Sequence, residues 1–248
     1  MSGSAVLRTR GLTRRFSGFA AVDGIDFAVQ RHERRAVIGP NGAGKTTFFR
    51  LLSGEIPPTA GGIWFEDRAV AGWPAPRLAR IGIGKSYQIS NGFPNLSVFE
   101  NLRIAAQPPA IDYRFWTSYR RHGRLGERAD ELLVTVGLVP QRERLASQLS
   151  YGDRRRLELG MALAGDPRLL LLDEPTAGMT PQETEETTEL IDRVARGRTV
   201  ILVEHKMKVV MTLADRISVF HQGRILAEGT PQEIRDNRAV QAVYFGHA

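Results

Sequence analysis

"GPNGAGKTT", residues 39–47, satisfies the pattern G-x-x-x-x-G-K-[ST] and lies between "RRAVIGP", which reads as a short buried strand, and "KTTFFRLLSG", which reads as a helix closed by Gly54. In that setting the glycines let main-chain N–H groups close around phosphate oxygens. Lys45 then reaches the β- and γ-phosphates of a nucleotide, and Thr46 can ligate magnesium. A glycine-rich turn with a chance lysine is the plain alternative, and the strand before and helix after weigh against it. The whole run, Gly39, Pro40, Asn41, Gly42, Ala43, Gly44, Lys45, Thr46 and Thr47, is therefore read as a phosphate cradle.

A phosphate loop needs a carboxylate to hold its metal. "RLLLLDEP" offers Asp173 and Glu174 at the carboxyl end of an apolar strand, the end at which open α/β sheets bind ligands. Asp173 is placed for magnesium through water, and Glu174 for polarising an attacking water. Judged alone, Asp-Glu-Pro also reads as a strand terminator with solvated acids.

"LSYGDRRRLELGMALAG", residues 149–165, opens a helix on Ser150, a good N-cap. A helix amino terminus with a serine hydroxyl and Gly152, which permits close backbone approach, is also an anion site. Because the phosphate loop already encloses one side of a nucleotide, this second site suits the exposed side of a γ-phosphate, most simply one bound by another chain.

Along the chain, strands alternate with helices as in an α/β domain on a mainly parallel sheet. "AVLRTRGL" and "GIDFAVQ" suit early strands. From about Ile89 to Gly165 the texture turns helical and basic, with Ser97 and Glu100 at capping-box spacing and "GERADELLVTVGL" amphipathic. Strands return with "RLLLLDEP", "RTVILVEH" and "DRISVFHQGRILAEG", the last with Gln222-Gly223 as a hairpin turn. The expectation is one domain over residues 1–248, in which 1–88 and 166–248 form a catalytic core with a β subdomain and 89–165 an inserted helical subdomain.

The 248 residues, 42% hydrophobic and 25% charged, suffice for a substantial core. The chain has no cysteine, which excludes disulfides and thiolate metal sites and fits a reducing cytosol. No apolar run approaches the roughly 20 residues that span a bilayer, so the chain alone reads as soluble. A formal charge of +7 favours anionic partners without choosing among nucleotide, nucleic acid and anionic lipid.

In their order and spacing, "GPNGAGKTT", Gln88 in "KSYQIS", "LSYGD", "LLLLDEP" and His205 in "ILVEH" resemble the ATP-binding subunit of ATP-binding cassette (ABC) transporters along nearly the whole chain. "GFPNLSVFENL", the long basic insert, "EPTAGMTPQET" and "LAEGTPQEI" look most like branched-chain amino-acid importer ATPases. Importers for urea and short amides look similar, and "GMAL" and "VYFG" resemble theirs.

The resemblance implies a P-loop NTPase fold with a mainly parallel core sheet, an antiparallel β subdomain and an inserted α-helical subdomain. It implies ATP and Mg2+ as cofactors and two ATPase subunits head to tail, each ATP clamped between one chain's phosphate loop and the other's signature helix. Phe16 takes the adenine-stacking position, which for an isolated strand aromatic would instead read as core. Gln88 senses magnesium and the attacking water, and His205 contacts the γ-phosphate and helps hold Glu174 and water. His32, His122, His221 and His247 keep an ordinary structural reading. Transmembrane permease subunits, a separate solute-binding protein and a peripheral place on the cytoplasmic membrane face follow, with a heterodimer of ATPases favoured over a homodimer. A groove beside residues 88–93 is expected to receive a short helix of the permease.

Three positions depart from the common pattern: Tyr151 and Asp153 in the signature, and Thr180 where many members have aspartate. Asp153 either weakens ATP capture or pairs with Arg154 or Arg155. Thr180, followed by proline and an acid at the third position, is explained as an N-cap. "DYRFWTSYRRHGR", residues 112–124, fits nucleic acid, an anionic membrane surface or a solvated helix face. A soluble cassette ATPase acting on nucleic acid or ribosomes is the alternative of a different class. It usually carries tandem cassettes or a long coiled-coil insert, for which this chain has no room, so no nucleic acid is expected.

Overall fold

A computed structural model of the chain describes residues 5–86, 92–107 and 119–245, without the side chains of 119–123 and 245. Its strands in chain order are β1 (Ala5–Phe16), β2 (Phe19–Gln30), β3 (Arg34–Ile38), β4 (Ala60–Phe65), β5 (Arg68–Ala69), β6 (Ile83–Ser86), β7 (Leu169–Asp173), β8 (Thr199–Val203), β9 (Arg216–His221) and β10 (Arg224–Gly229). They form an antiparallel sheet in the order β2-β1-β4-β5 and a larger sheet in the order β10-β9-β3-β8-β7-β6. Within the larger sheet every neighbouring pair is parallel except β9 with β10. The α/β class expected from the sequence is what the chain adopts.

The helices are α1 (Lys45–Leu52), α2 (Ala75–Arg80), α3 (Val98–Ala105), α4 (Tyr119–Val136), α5 (Tyr151–Leu163), α6 (Pro181–Ala195), α7 (Met207–Leu213), α8 (Pro231–Arg235) and α9 (Arg238–Phe245). None of the described helices is long and apolar enough to cross a membrane.

The period of two in a strand explains why the central sheet has two apolar faces. Leu170, Leu172, Val200 and Leu202 pack into a core shared with Leu102 of α3, Leu132 of α4 and Leu157 of α5. Leu169, Leu171, Ile201 and Val203 face the opposite way, into a core shared with the antiparallel sheet and α1. There Phe48 meets Phe27 edge-on, with ring centres 5.1 Å apart. Each such buried leucine or phenylalanine contributes about 1.5–3 kcal/mol relative to exposure, which is why "LLLL" and "VILV" are apolar without alternation.

Local signals place most element ends. Gly54, at φ 72°, follows α1 as expected. Gln222 and Gly223 have φ of 47° and 77°, the doubly left-handed turn whose twist matches a hairpin's strands. Thr180 caps α6 with a complete capping box to Glu183. The Ser97 hydroxyl accepts the Glu100 N–H at 3.1 Å and starts α3, but only half of that expected box forms. The Glu100 carboxylate turns instead to the Arg103 guanidinium, 2.6 Å away, because an ion pair one turn along competes with reaching back. Strands β1 and β2 run longer than expected and meet at a tight turn where Ser17 and Gly18 have positive φ.

Candidate active site

Strand register brings three segments to one edge of the large sheet. Val37 of β3 and Asp173 of β7 both stand opposite Val203 of β8, which lies between them. The phosphate loop, Glu174 and the Glu204-His205 segment therefore leave the sheet side by side, at the strands' carboxyl ends.

The phosphate loop is wedged where only glycine fits. A Cβ on Gly39, whose φ is 150°, would lie 2.2 Å from the Phe220 carbonyl oxygen, and one on Gly44 equally close to that of Ala21. The Gly223 N–H of the β9–β10 hairpin donates to the Ala43 carbonyl at 3.0 Å and ties the loop down from outside. Lys45 is 6% exposed, and its ammonium donates to the carbonyls of Gly39 (2.7 Å) and Pro40 (2.9 Å). Burial lowers its pKa, and the Glu174 carboxylate partly restores it, so the two charges lie within electrostatic reach. Thr46 and Asn41 are exposed beside it.

Asp173 is 9% exposed, and burial raises its pKa, opposed by the Lys85 charge and reinforced by Glu174 and Glu55. Among the described residues no hydrogen bond or salt bridge reaches its carboxylate. A desolvated anion in that state suits a hard cation, and the Thr46 hydroxyl is the other oxygen of the kind magnesium takes. No described cluster of three His, Asp or Glu forms a cage of its own, so a cation held by Thr46 and Asp173 would need further ligands from a bound nucleotide.

Glu174 has φ 47°, a left-handed conformation that costs a non-glycine residue about 1–3 kcal/mol. Its N–H donates to the Val203 carbonyl at 2.9 Å, and its Oε1 lies 3.0 Å from Nε2 of His205. Opposite a carboxylate, that spacing requires the imidazole to carry its proton on Nε2. Acid and histidine thus form a ready pair for orienting water and stabilising charge.

Phe16 sits at the β1–β2 tip, paired with Phe19 and 41% exposed, so it is not a core aromatic. The Arg14 guanidinium covers its ring at 4.6 Å. Gln88 lies outside the described residues, as do the side chains of 112–123 and His247.

Ser150 and Gly152 belong to a second group. The Ser150 hydroxyl accepts the Asp153 N–H at 3.1 Å and caps α5. Gly152 is buried against the Glu183 carboxylate, 3.1 Å from where a Cβ would be. Tyr151 donates its hydroxyl to the Ala177 carbonyl at 2.8 Å. No described hydrogen bond joins this group to the phosphate loop. Arg155 engages the Tyr151 hydroxyl and Glu158 rather than Asp153, and among the described residues Asp153 has no salt bridge.

One contact escaped sequence reasoning. Burial pushes the pKa of the Tyr244 hydroxyl of α9 up to about 12, opposed by the nearby Gly39 backbone. The only signal for it was a tyrosine in the "VYFG" ending.

The ABC transporter family model matches residues 22–177. The chain belongs to the ABC transporter family. The ABC match spans the phosphate loop, the α5 amino terminus and the Asp173-Glu174 pair, and a second model, the branched-chain amino acid ATP-binding cassette transporter, matches 224–248. The high-affinity branched-chain amino acid transport ATP-binding protein LivG of Salmonella typhimurium is 40% identical over 98% of both chains. BraF of Pseudomonas aeruginosa, of the same description, is 39% identical over 98% of both. Among solved structures, a nucleotide-free ATP-binding cassette from an ABC transporter is 26% identical and superposes with a TM-score of 0.86 over 98% of this chain and 100% of that one. An ABC cassette in its ADP conformation matches equally well, again at a TM-score of 0.86 and 26% identity. As an ABC ATP-binding subunit the chain is an ATPase.

Proposed function

We propose that the chain powers an importer of branched-chain amino acids by hydrolysing ATP at the cytoplasmic face of the membrane, bound to transmembrane permease subunits and supplied by a separate solute-binding protein. The observation that carries this reading is the likeness to LivG and BraF over 98% of the chain. The match of the branched-chain model to residues 224–248 supports the same subgroup.

In this reading the adenine of ATP stacks on Phe16 and the phosphates enter the loop of Gly39 to Thr47, where Lys45 exchanges its two carbonyl partners for β- and γ-phosphate oxygens. Magnesium, held by Thr46 and Asp173 with Gln88 near it, supplies charge neutralisation when bound. Glu174 orients or deprotonates the attacking water. His205 holds Glu174 and stabilises charge on the γ-phosphate, and positioning does most of the catalysis.

A second ATPase subunit, a different chain by preference and an identical one as the alternative, lays its own Ser150-Gly152 equivalent on the γ-phosphate. No described hydrogen bond joins this chain's Ser150-Gly152 group to its own phosphate loop, which is in keeping with that arrangement. Residues 89–165 move with closure as the helical subdomain. The groove of about 240 Å³ bordered by Gly92, Pro94, Leu157 and Met161 takes a short permease helix.

The test is uptake of labelled leucine, isoleucine and valine by cells lacking their own carriers and given this chain with its neighbouring permease genes. Uptake that disappears with Glu174→Gln supports the proposal. Chain-dependent uptake of urea or an amide, with none of the three amino acids, contradicts it.

A further inference from the structure

Glu204 is 2% exposed, lies between strand β8 and His205, and has no salt bridge to any described cation. A buried carboxylate is costly unless donors surround it. Here two loops provide them, one to each oxygen. Oε1 accepts the Thr176 N–H at 3.2 Å and the Thr176 hydroxyl, from the loop that follows Glu174. Oε2 accepts the N–H groups of His205 at 2.6 Å and Lys206 at 3.1 Å, from its own loop.

Lys206 repeats the connection with its side chain. Its ammonium donates to the carbonyls of Thr176 (2.9 Å) and Met179 (3.3 Å) and to the Thr184 hydroxyl (2.7 Å) in the first turn of α6. With the Glu174 N–H on the Val203 carbonyl, the segment 174–180 is bound to the His205 strand and loop at its beginning, middle and end. The 3.0 Å between His205 Nε2 and Glu174 Oε1 is thus set by groups outside both side chains.

We propose that Glu204 and Lys206 are positioning residues for ATP hydrolysis, bracing the loop that carries Glu174 against the loop that carries His205. The proposal rests on the reading of Glu174 and His205 as the hydrolytic pair. The carboxylate of Glu204 and the ammonium of Lys206 are spent on these protein partners, so the two residues set the turnover step rather than ATP affinity.

Chemistry makes the brace separable from the fold. All four partners of Glu204 are donors, whereas glutamine has one acceptor oxygen and one NH2. In Glu204→Gln the oxygen keeps one loop and the NH2 faces N–H groups of the other; only the Thr176 hydroxyl can turn to accept. Thr176→Val removes that hydroxyl without changing shape. Lys206→Met keeps the apolar stem and removes three donations, and Lys206→Arg keeps donors.

The experiment measures kcat, KM for magnesium ATP and thermal stability of these variants in the assembled transporter, beside Glu174→Gln as reference. Losing a hydrogen bond to a charged group at this site is expected to lower kcat about tenfold in Glu204→Gln and Lys206→Met, with KM within about twofold. Arginine at 206 restores much of kcat, and Thr176→Val combined with Glu204→Gln is worse than Glu204→Gln alone, because valine removes the one group able to accept from the new NH2. If Glu174→Gln stops turnover while Glu204→Gln, Thr176→Val and Lys206→Met keep parental kcat, or lose kcat only in step with KM and stability, the brace is overturned and the hydrolytic pair stands. If Glu174→Gln turns over normally, the pair itself is wrong and the brace falls with it. Should Glu204→Gln fail to fold, Thr176→Val and Lys206→Met decide alone.

Discussion

His205 Nε2 lies 3.0 Å from Glu174 Oε1, across loops that leave the neighbouring strands β8 and β7. The glutamate holds its left-handed backbone to reach that position. Losing its carboxylate while keeping its size should leave ATP binding intact and slow turnover by about 10²–10⁴-fold, the usual weight of a positioned general base. Single-turnover hydrolysis and equilibrium ATP binding by Glu174→Gln measure the two quantities separately, and near-normal turnover would assign the water to another group.

Phe16 is an exposed aromatic whose ring the Arg14 guanidinium covers from 4.6 Å. Base stacking on an aromatic is worth about 1–3 kcal/mol, so Phe16→Ala should weaken ATP binding by about 5- to 150-fold and leave kcat at saturation little changed. Isothermal titration with ATP and with tripolyphosphate checks the assignment. Equal losses for both ligands would place adenine elsewhere.

Burial on the last helix raises the Tyr244 hydroxyl from an ordinary pKa of 10.0 to about 12, opposed by the Gly39 backbone. An acid whose folded pKa is raised binds its proton more tightly folded than unfolded. Its stabilising effect is therefore present below the unfolded value and is lost as pH rises from 10.0 towards about 12. Ultraviolet titration should show one tyrosine ionising late, and Tyr244→Phe should remove that component and flatten the loss of stability in this window. A late component that survives the substitution would assign it to another tyrosine.

Much of the site was legible in the sequence because its signals are local. The phosphate loop needs its glycines in consecutive order, β7 shows itself by four leucines, and the Gln222-Gly223 turn and the Thr180 cap are written within a few residues. What stayed hidden depends on contacts between distant segments. Glu204 and Thr176 are 28 positions apart, and nothing near either foretells their bond. Arg155 meets Tyr151 four residues back and Glu158 three residues on, the neighbours that the helical spacing of α5 allows, whereas Asp153, two residues away, lies off that face. The left-handed backbone of Glu174 follows from its hydrogen bond to β8, which a residue-by-residue reading does not contain.

On the proposed reading, ATP is clamped between two ATPase subunits, one of which contributes Ser150 and Gly152. The most direct measurement is the solution mass of Glu174→Gln by light scattering, with and without magnesium ATP, alone and with the neighbouring ATPase subunit added. The expected result is an ATP-dependent doubling in one of those mixtures that Ser150→Arg abolishes while ATP binding to the phosphate loop persists. A chain that binds ATP yet stays monomeric in both mixtures, or one whose association survives Ser150→Arg, would contradict the clamp.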